Sequence, residues 1–177
     1  MQLIDSFNVF IENIQYNMKT LHLIRHAKSD WNTTTQTDYK RPLNKRGLKD
    51  ATMMAKQLQN LNFNPSIIYC SPAQRTKTTS SLLVKDIKII FDKNIYEASL
   101  KDLTKLINEF PDEHSEIALI GHNPSITYLS NYLTGELMNN IPTCSVLKID
   151  LEINSWQELT QDIGIQKFFV YPNMFYS

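Results

Sequence analysis

Short apolar runs alternating with stretches of helical periodicity constrain this chain to an α/β fold. Lys19 to Arg25, with Leu21-His22-Leu23-Ile24 at its centre, reads as a buried first strand. Leu48, Ala51, Met54, Ala55, Leu58 and Leu61 then recur at i, i+3, i+4 spacing, which predicts a helix with Asn44 as its N-cap and Gly47 early within it. Ser66 to Cys70 is a second strand. Ser71-Pro72 carries a helix-start pattern, Ser as N-cap and Pro at the first position, for a helix running through Leu83. Ile87 to Phe91 is a third strand, and Ser99 caps a helix lined by Leu100, Leu103, Leu106, Ile107 and Phe110. Glu116 to Ile120 is a fourth strand. Asn123-Pro124 opens a helix that Gly135 ends. Ser145 to Leu151 and Ile165 to Tyr171 complete the pattern as two strands. The order β-α-β-α-β-α-β-α-β-β predicts a three-layer domain: a mostly parallel central sheet flanked by helices.

The length of 177 residues fits one domain spanning residues 18–177. Residues 1–17 form an N-terminal extension in which Leu3, Ile4, Phe7, Phe10, Ile11 and Ile14 recur at helical spacing. A helix packed on the domain and an extension of little consequence are both open, and Met18 is a second candidate start. Asp5 and Glu12 within the segment, with no basic leading region or small-residue cleavage site, argue against a signal peptide, so the cytoplasm is the expected compartment. Formal net charge is zero, and no global field favours nucleic acid or a membrane. Anion recognition therefore needs a local cationic cluster. Cys70 and Cys144 belong to no metal-binding spacing and are expected to be buried and reduced; no metal or cofactor is called for.

Such a cluster is visible at the strand ends. Arg25-His26 closes the first strand, at the edge where ligands bind in open α/β sheets. A neutral imidazole is a competent nucleophile at phosphorus, and a neighbouring guanidinium orients a phosphoryl group through paired hydrogen bonds. Arg75 lies in the first turn of the helix after Ser71-Pro72, where free N–H groups already favour an anion; the alternative is a solvated surface arginine. His122, between Gly121 and Asn123-Pro124, offers a second imidazole to phosphoryl oxygens, or serves only the loop it stands in. Asn123 is placed to cap the next helix and orient that loop. Glu97, after Ile95-Tyr96, is the candidate general acid, and equally a first-turn carboxylate on a helix dipole. Ser29, in the long polar stretch from His26 to Lys45, is with Asn123 a candidate phosphate contact.

Four motifs in order give these residues a family likeness. Leu23 to Ser29 resembles the Arg-His-Gly/Ala signature of the histidine phosphatase superfamily, and Arg41 to Gly47 its PLxxxG segment. Ser71 to Thr76 is similar to its SPxxRxxxT segment, and Gly121-His122-Asn123-Pro124 to its second histidine motif. The resemblance spans roughly Met18 to Tyr171 and implies a phosphoglycerate-mutase-like fold. Ala27 to Trp31 and the compact length resemble the SixA-like phosphohistidine phosphatases. The likeness implies phosphorylation of His26, with Arg25, Arg75 and His122 completing the phosphate pocket, and aligns Glu97 with the acid region through Tyr96-Glu97-Ala98. The expected activity is that of a metal-independent phosphatase acting on phosphohistidine in a signalling or phosphotransfer protein. A small phosphate ester as substrate, or a non-catalytic module that binds phosphorylated proteins, are the alternatives.

Overall fold

A computed structural model describes residues 18–31 and 37–176; the predicted N-terminal extension lies outside the described residues. Six strands, β1 (Lys19–Arg25), β2 (Ile67–Cys70), β3 (Lys88–Phe91), β4 (Glu116–Gly121), β5 (Val146–Leu151) and β6 (Gly164–Val170), form one sheet in the order β3-β2-β4-β1-β5-β6. The pairings β3-β2, β2-β4 and β4-β1 are parallel; β5 runs against both of its neighbours. Helices α1 (Lys45–Asn60), α2 (Gln74–Leu83), α3 (Leu100–Asn108) and α4 (Ser125–Thr134) cover the two faces. This is the three-layer α/β architecture expected from the apolar runs, and it is the phosphoglycerate-mutase-like arrangement that the family resemblance implies.

Alternation along β1 builds the three layers. Leu21 and Leu23 enter one core with Leu103 and Ile107 of α3 and Leu129 and Leu133 of α4. Ile24 enters the other with Ala51, Met54 and Leu58 of α1 and Leu83 of α2. A strand buried on both faces reads as a continuous apolar run, which is why β1, β2 and β4 stand out in the sequence. Edge strands β3 and β6 keep exposed residues, Lys88 and Phe91 on one and Ile165 and Lys167 on the other. Among the described residues no helix is long and apolar enough to cross a membrane.

Two predicted helix starts differ in detail. Helix α2 begins at Gln74, with Ala73 in the cap position and no side-chain cap bond. Ser71 is not its N-cap: its hydroxyl meets His122 Nε2 at 2.8 Å and accepts from the Ala73 amide, before the helix begins. Helix α4 begins at Ser125 after a cis Asn123-Pro124 bond, with Pro124 in the cap position. Asn123 does not cap it; its side-chain amide is committed to the 140–141 loop. The other caps follow the sequence. Asn44 Oδ1 accepts from the Gly47 amide at 2.8 Å, Ser99 and Asp102 form a reciprocal capping box, and Gly135 ends α4 at φ +69°.

Register gathers the strand ends. Arg25 pairs with Gly121, and Cys70 with Ile120. The His26 amide donates to the Gly121 carbonyl at 3.1 Å, and the Ser71 amide to that of Ile120 at 3.0 Å. The connections leaving β1 and β4 run in opposite directions along the sheet, to β2 and to β5. Divergence of this kind opens a crevice at the carboxyl ends of adjacent strands.

Candidate active site

The crevice is a cleft of about 600 Å³ whose walls include Arg25, His26, Ser29, Arg75, Glu97, His122 and Asn123. All seven residues named from the sequence therefore meet at one place, and Arg41, Asp38, Tyr96 and Trp31 join them.

His26 lies deep, 7% exposed, with Nδ1 2.7 Å from the carbonyl oxygen of Ala27. A carbonyl only accepts, so Nδ1 carries the proton and Nε2 keeps its lone pair. Burial pushes the imidazole well below its ordinary range, and His122, Arg75 and Arg25 push it further. The ring is neutral at physiological pH, in the state a nucleophile needs. Thr79 secures this arrangement: its Oγ1 accepts from the Ala27 amide at 3.0 Å and donates to the Arg75 carbonyl at 2.7 Å.

His122 faces His26 with ring centroids 5.1 Å apart. Its Nε2 is 2.8 Å from the buried Ser71 hydroxyl, and its Nδ1 is buried without a partner. Burial, then the charge of Arg75, lowers its pKa to about 3, although Asp38 pulls the other way. This imidazole is neutral as well. Asn123 donates to Asn140 Oδ1 at 2.8 Å and to the Ile141 carbonyl at 3.1 Å. The same carbonyl accepts from Arg25 Nη1 at 2.5 Å. The 140–141 loop thus holds both Arg25 and Asn123 at the cleft.

Arginine geometry adds most to the sequence reading. Arg75 is buried, not a solvated surface residue. Its Nη1 donates to the Asp38 carbonyl at 2.7 Å and its Nη2 to Asp38 Oδ2 at 2.9 Å. Arg41, not singled out from the sequence, donates to Ser29 Oγ and twice to Asp38 Oδ1, at 2.8 Å from Nη2 and 3.2 Å from Nε. It also stacks on Trp31, 3.7 Å from the ring centroid. Ser29 is thereby an arginine partner in the cleft wall. Burial raises the Asp38 pKa, but the bonds from Arg41 and Tyr96 and the charge of Arg75 outweigh it and hold the carboxyl at about 2. The Nε atoms of Arg25 and Arg75 are buried without partners.

Glu97 stands exposed on the cleft wall with φ +55°, an uncommon backbone for a residue with a side chain. Burial and Asp38, with a smaller contribution from Glu97, push the Tyr96 phenol up to about 12. Cys70 and Cys144 are buried free thiols, as expected.

Two neutral imidazoles facing each other among guanidiniums, at the carboxyl edge of a three-layer α/β sheet, define a class of phosphoryl-transfer site. Residues 21–138 match the sequence profile of the histidine phosphatase superfamily (branch 1), and the chain belongs to that superfamily; it is a phosphatase by family. It is similar to an uncharacterized chloroplastic protein of Arabidopsis thaliana, 29% identical over 154 residues that cover 79% of this chain and 70% of that protein. Among solved structures, a SixA-type protein from Agrobacterium tumefaciens superposes with a TM-score of 0.76 at 24% identity, covering 87% of this chain and 98% of its own. A second SixA-type protein, from Nakamurella multipartita, gives 0.77 at 19% identity over 88% and 96%. The protein histidine phosphatase SixA complexed with tungstate gives 0.70 at 18% identity over 89% and 99%.

Proposed function

We propose that the protein hydrolyses phosphohistidine on a protein substrate, with His26 as the acceptor of the phosphoryl group. The observation that carries this reading is the Nδ1-to-Ala27 hydrogen bond, which leaves a buried neutral ring with its Nε2 lone pair beside a cationic cleft. Nε2 attacks phosphorus in line with the leaving nitrogen. The bond from phosphorus to the substrate ring breaks as the bond to His26 forms, and the leaving imidazole takes the electron pair. Where its other nitrogen is already protonated it departs neutral, with no proton donor needed. Water then attacks the phosphoryl group and the bond to His26 breaks, releasing dihydrogen phosphate and restoring the starting ring.

Arg25, Arg75 and His122 bind and neutralise the equatorial oxygens as charge spreads in the transition state. Asn123 keeps Arg25 in place through their shared carbonyl on the 140–141 loop. Ser29 keeps Arg41 in place as its acceptor. The SixA-type proteins of the same fold lend the substrate class, and the solved complex of one with tungstate makes that oxyanion a suitable probe here.

Hydrolysis of a small phosphate ester is the second reading, and Glu97 favours it: a carboxyl on the cleft wall is placed to protonate an alkoxide leaving group. The test is a rate comparison on a phosphohistidine protein and a panel of small esters, with wild type and His26→Ala. The first reading expects faster turnover of phosphohistidine and loss in the variant of both turnover and an acid-labile phosphoenzyme. Full activity in His26→Ala rejects the nucleophile; a preference for esters rejects the substrate; affinity for phosphorylated protein with no phosphate release leaves only a binding module.

A further inference from the structure

A carboxylate inside an anion-binding cleft acts against the first requirement of such a site, and Asp38 is one. Its Oδ1 accepts from Arg41, its Oδ2 accepts from Arg75 Nη2 and from the Tyr96 hydroxyl, both at 2.9 Å, and its backbone carbonyl accepts from Arg75 Nη1. Holding Arg75 does not require the charge, because the carbonyl of the same residue already takes one of its terminal nitrogens at 2.7 Å. Position is the second clue. His26 and His122 are each 7% exposed, whereas the Asp38 side chain is 46% exposed. In-line attack from a buried ring sends the leaving group outward, toward the more exposed groups of the cleft. Tyr96 ties the two levels together: its hydroxyl is on Asp38, and its ring edge meets the His122 ring at 5.6 Å.

We propose that Asp38 determines the substrate class of this cleft, selecting phosphoryl donors whose leaving group is a cationic ring and rejecting donors that carry a carboxylate close to phosphorus. This rests on the reading of His26 as the phosphoryl acceptor. A protonated N-phosphoimidazole brings a positive ring to Asp38, and the carboxylate favours that protonated form, the one that departs as neutral imidazole. A phosphorylated hydroxy acid brings a second anion against Asp38 instead. The arginines serve the phosphoryl group in both cases, so discrimination falls on the group attached to it.

The ester pair glycerol 3-phosphate and 3-phosphoglycerate differs in a hydroxymethyl group against a carboxylate, and 1-phosphoimidazole supplies the cationic ring. We expect wild type to prefer glycerol 3-phosphate to 3-phosphoglycerate by about tenfold in kcat/KM, the size of one partly screened charge pair. In Asp38→Asn that preference shrinks to within about threefold, and turnover of 1-phosphoimidazole falls by about tenfold. Calorimetric Kd values for the ester pair read the same ratio where turnover is slow. An ester ratio that Asp38→Asn leaves untouched overturns the proposal. So does an equal loss on all three compounds, which makes Asp38 a holder of the arginines and nothing more. Esters turned over faster than 1-phosphoimidazole by wild type reject the phosphohistidine reading, while the ester ratio still reports on Asp38.

Discussion

Ser71 and His122, 51 residues apart in sequence, meet through a buried contact of 2.8 Å between the serine hydroxyl and Nε2. The contact exists because β2 and β4 are parallel neighbours whose ends carry the two residues side by side. The Ser71 hydroxyl thereby orients the second imidazole of the cleft. Ser71→Ala removes that partner and leaves a buried ring nitrogen unsatisfied, at a cost of about 1–3 kcal/mol. The expected result is a modest drop in melting temperature with kcat lowered by about tenfold or more and KM little changed, measured by steady-state kinetics on a generic phosphorylated substrate. Unchanged kcat means that Ser71 positions nothing that matters to the reaction.

Stability should depend on pH through His122. Burial, then Arg75, lowers its pKa from 6.5 to about 3, so the folded protein holds the ring neutral where the unfolded chain protonates it. The unfolded state thus binds more protons below pH 6.5. Stability from this group is complete above the unfolded pKa and is lost as pH falls from about 6.5 toward about 3. His26 shifts in the same direction and adds to the slope. Thermal melts at stepped pH should show the midpoint falling through this window, and His122→Asn should flatten the fall. A midpoint level from pH 7 to pH 4 contradicts neutral buried rings.

Much of this cleft was legible in the sequence because its parts stand at strand ends. Arg25, His26 and His122 directly follow apolar runs, and Arg75 follows a strand and a proline. Strand pairing alone brings such positions to one edge. Arg41, Asp38 and Tyr96 were not singled out, since each comes from a connection whose place depends on tertiary packing. Arg41 had a signal, its position immediately before Pro42-Leu43 in a motif already recognised; Asp38 had none beyond the length of its polar segment. Ser71 was misread for an instructive reason. A serine before proline is a sound helix-start pattern, but a buried imidazole across the sheet is the partner its hydroxyl takes in the fold. Asn123 was misread likewise, its amide being taken up by the 140–141 loop.

Gly47 couples helix α1 to the loop that carries the cleft. A Cβ at this position would collide with the Lys28 carbonyl oxygen, and that same oxygen accepts from the Asn44 amide at 3.0 Å. Neither side gives easily, because both contacts are backbone. Gly47→Ala should therefore destabilise the fold by about 1–3 kcal/mol, as overpacking does elsewhere, although alanine is the better helix former. Displacement of Lys28 also moves Ser29, so tungstate affinity should fall with stability. A denaturant midpoint equal to or above that of wild type rules out the close approach.

Glu97 separates the two substrate readings by leaving-group chemistry. An alkoxide needs a proton as it departs, whereas a protonated imidazole ring does not. Glu97 is exposed on the cleft wall, where its side chain also bonds Tyr96. Glu97→Gln should consequently slow ester hydrolysis by about tenfold to a hundredfold, the scale of a lost general acid, while phosphohistidine hydrolysis changes by less than about threefold. Rates on the two substrate types, taken at the same pH with the same preparation, give the answer. Equal losses on both would mean that Glu97 acts by some route other than proton donation, such as holding Tyr96 and through it Asp38.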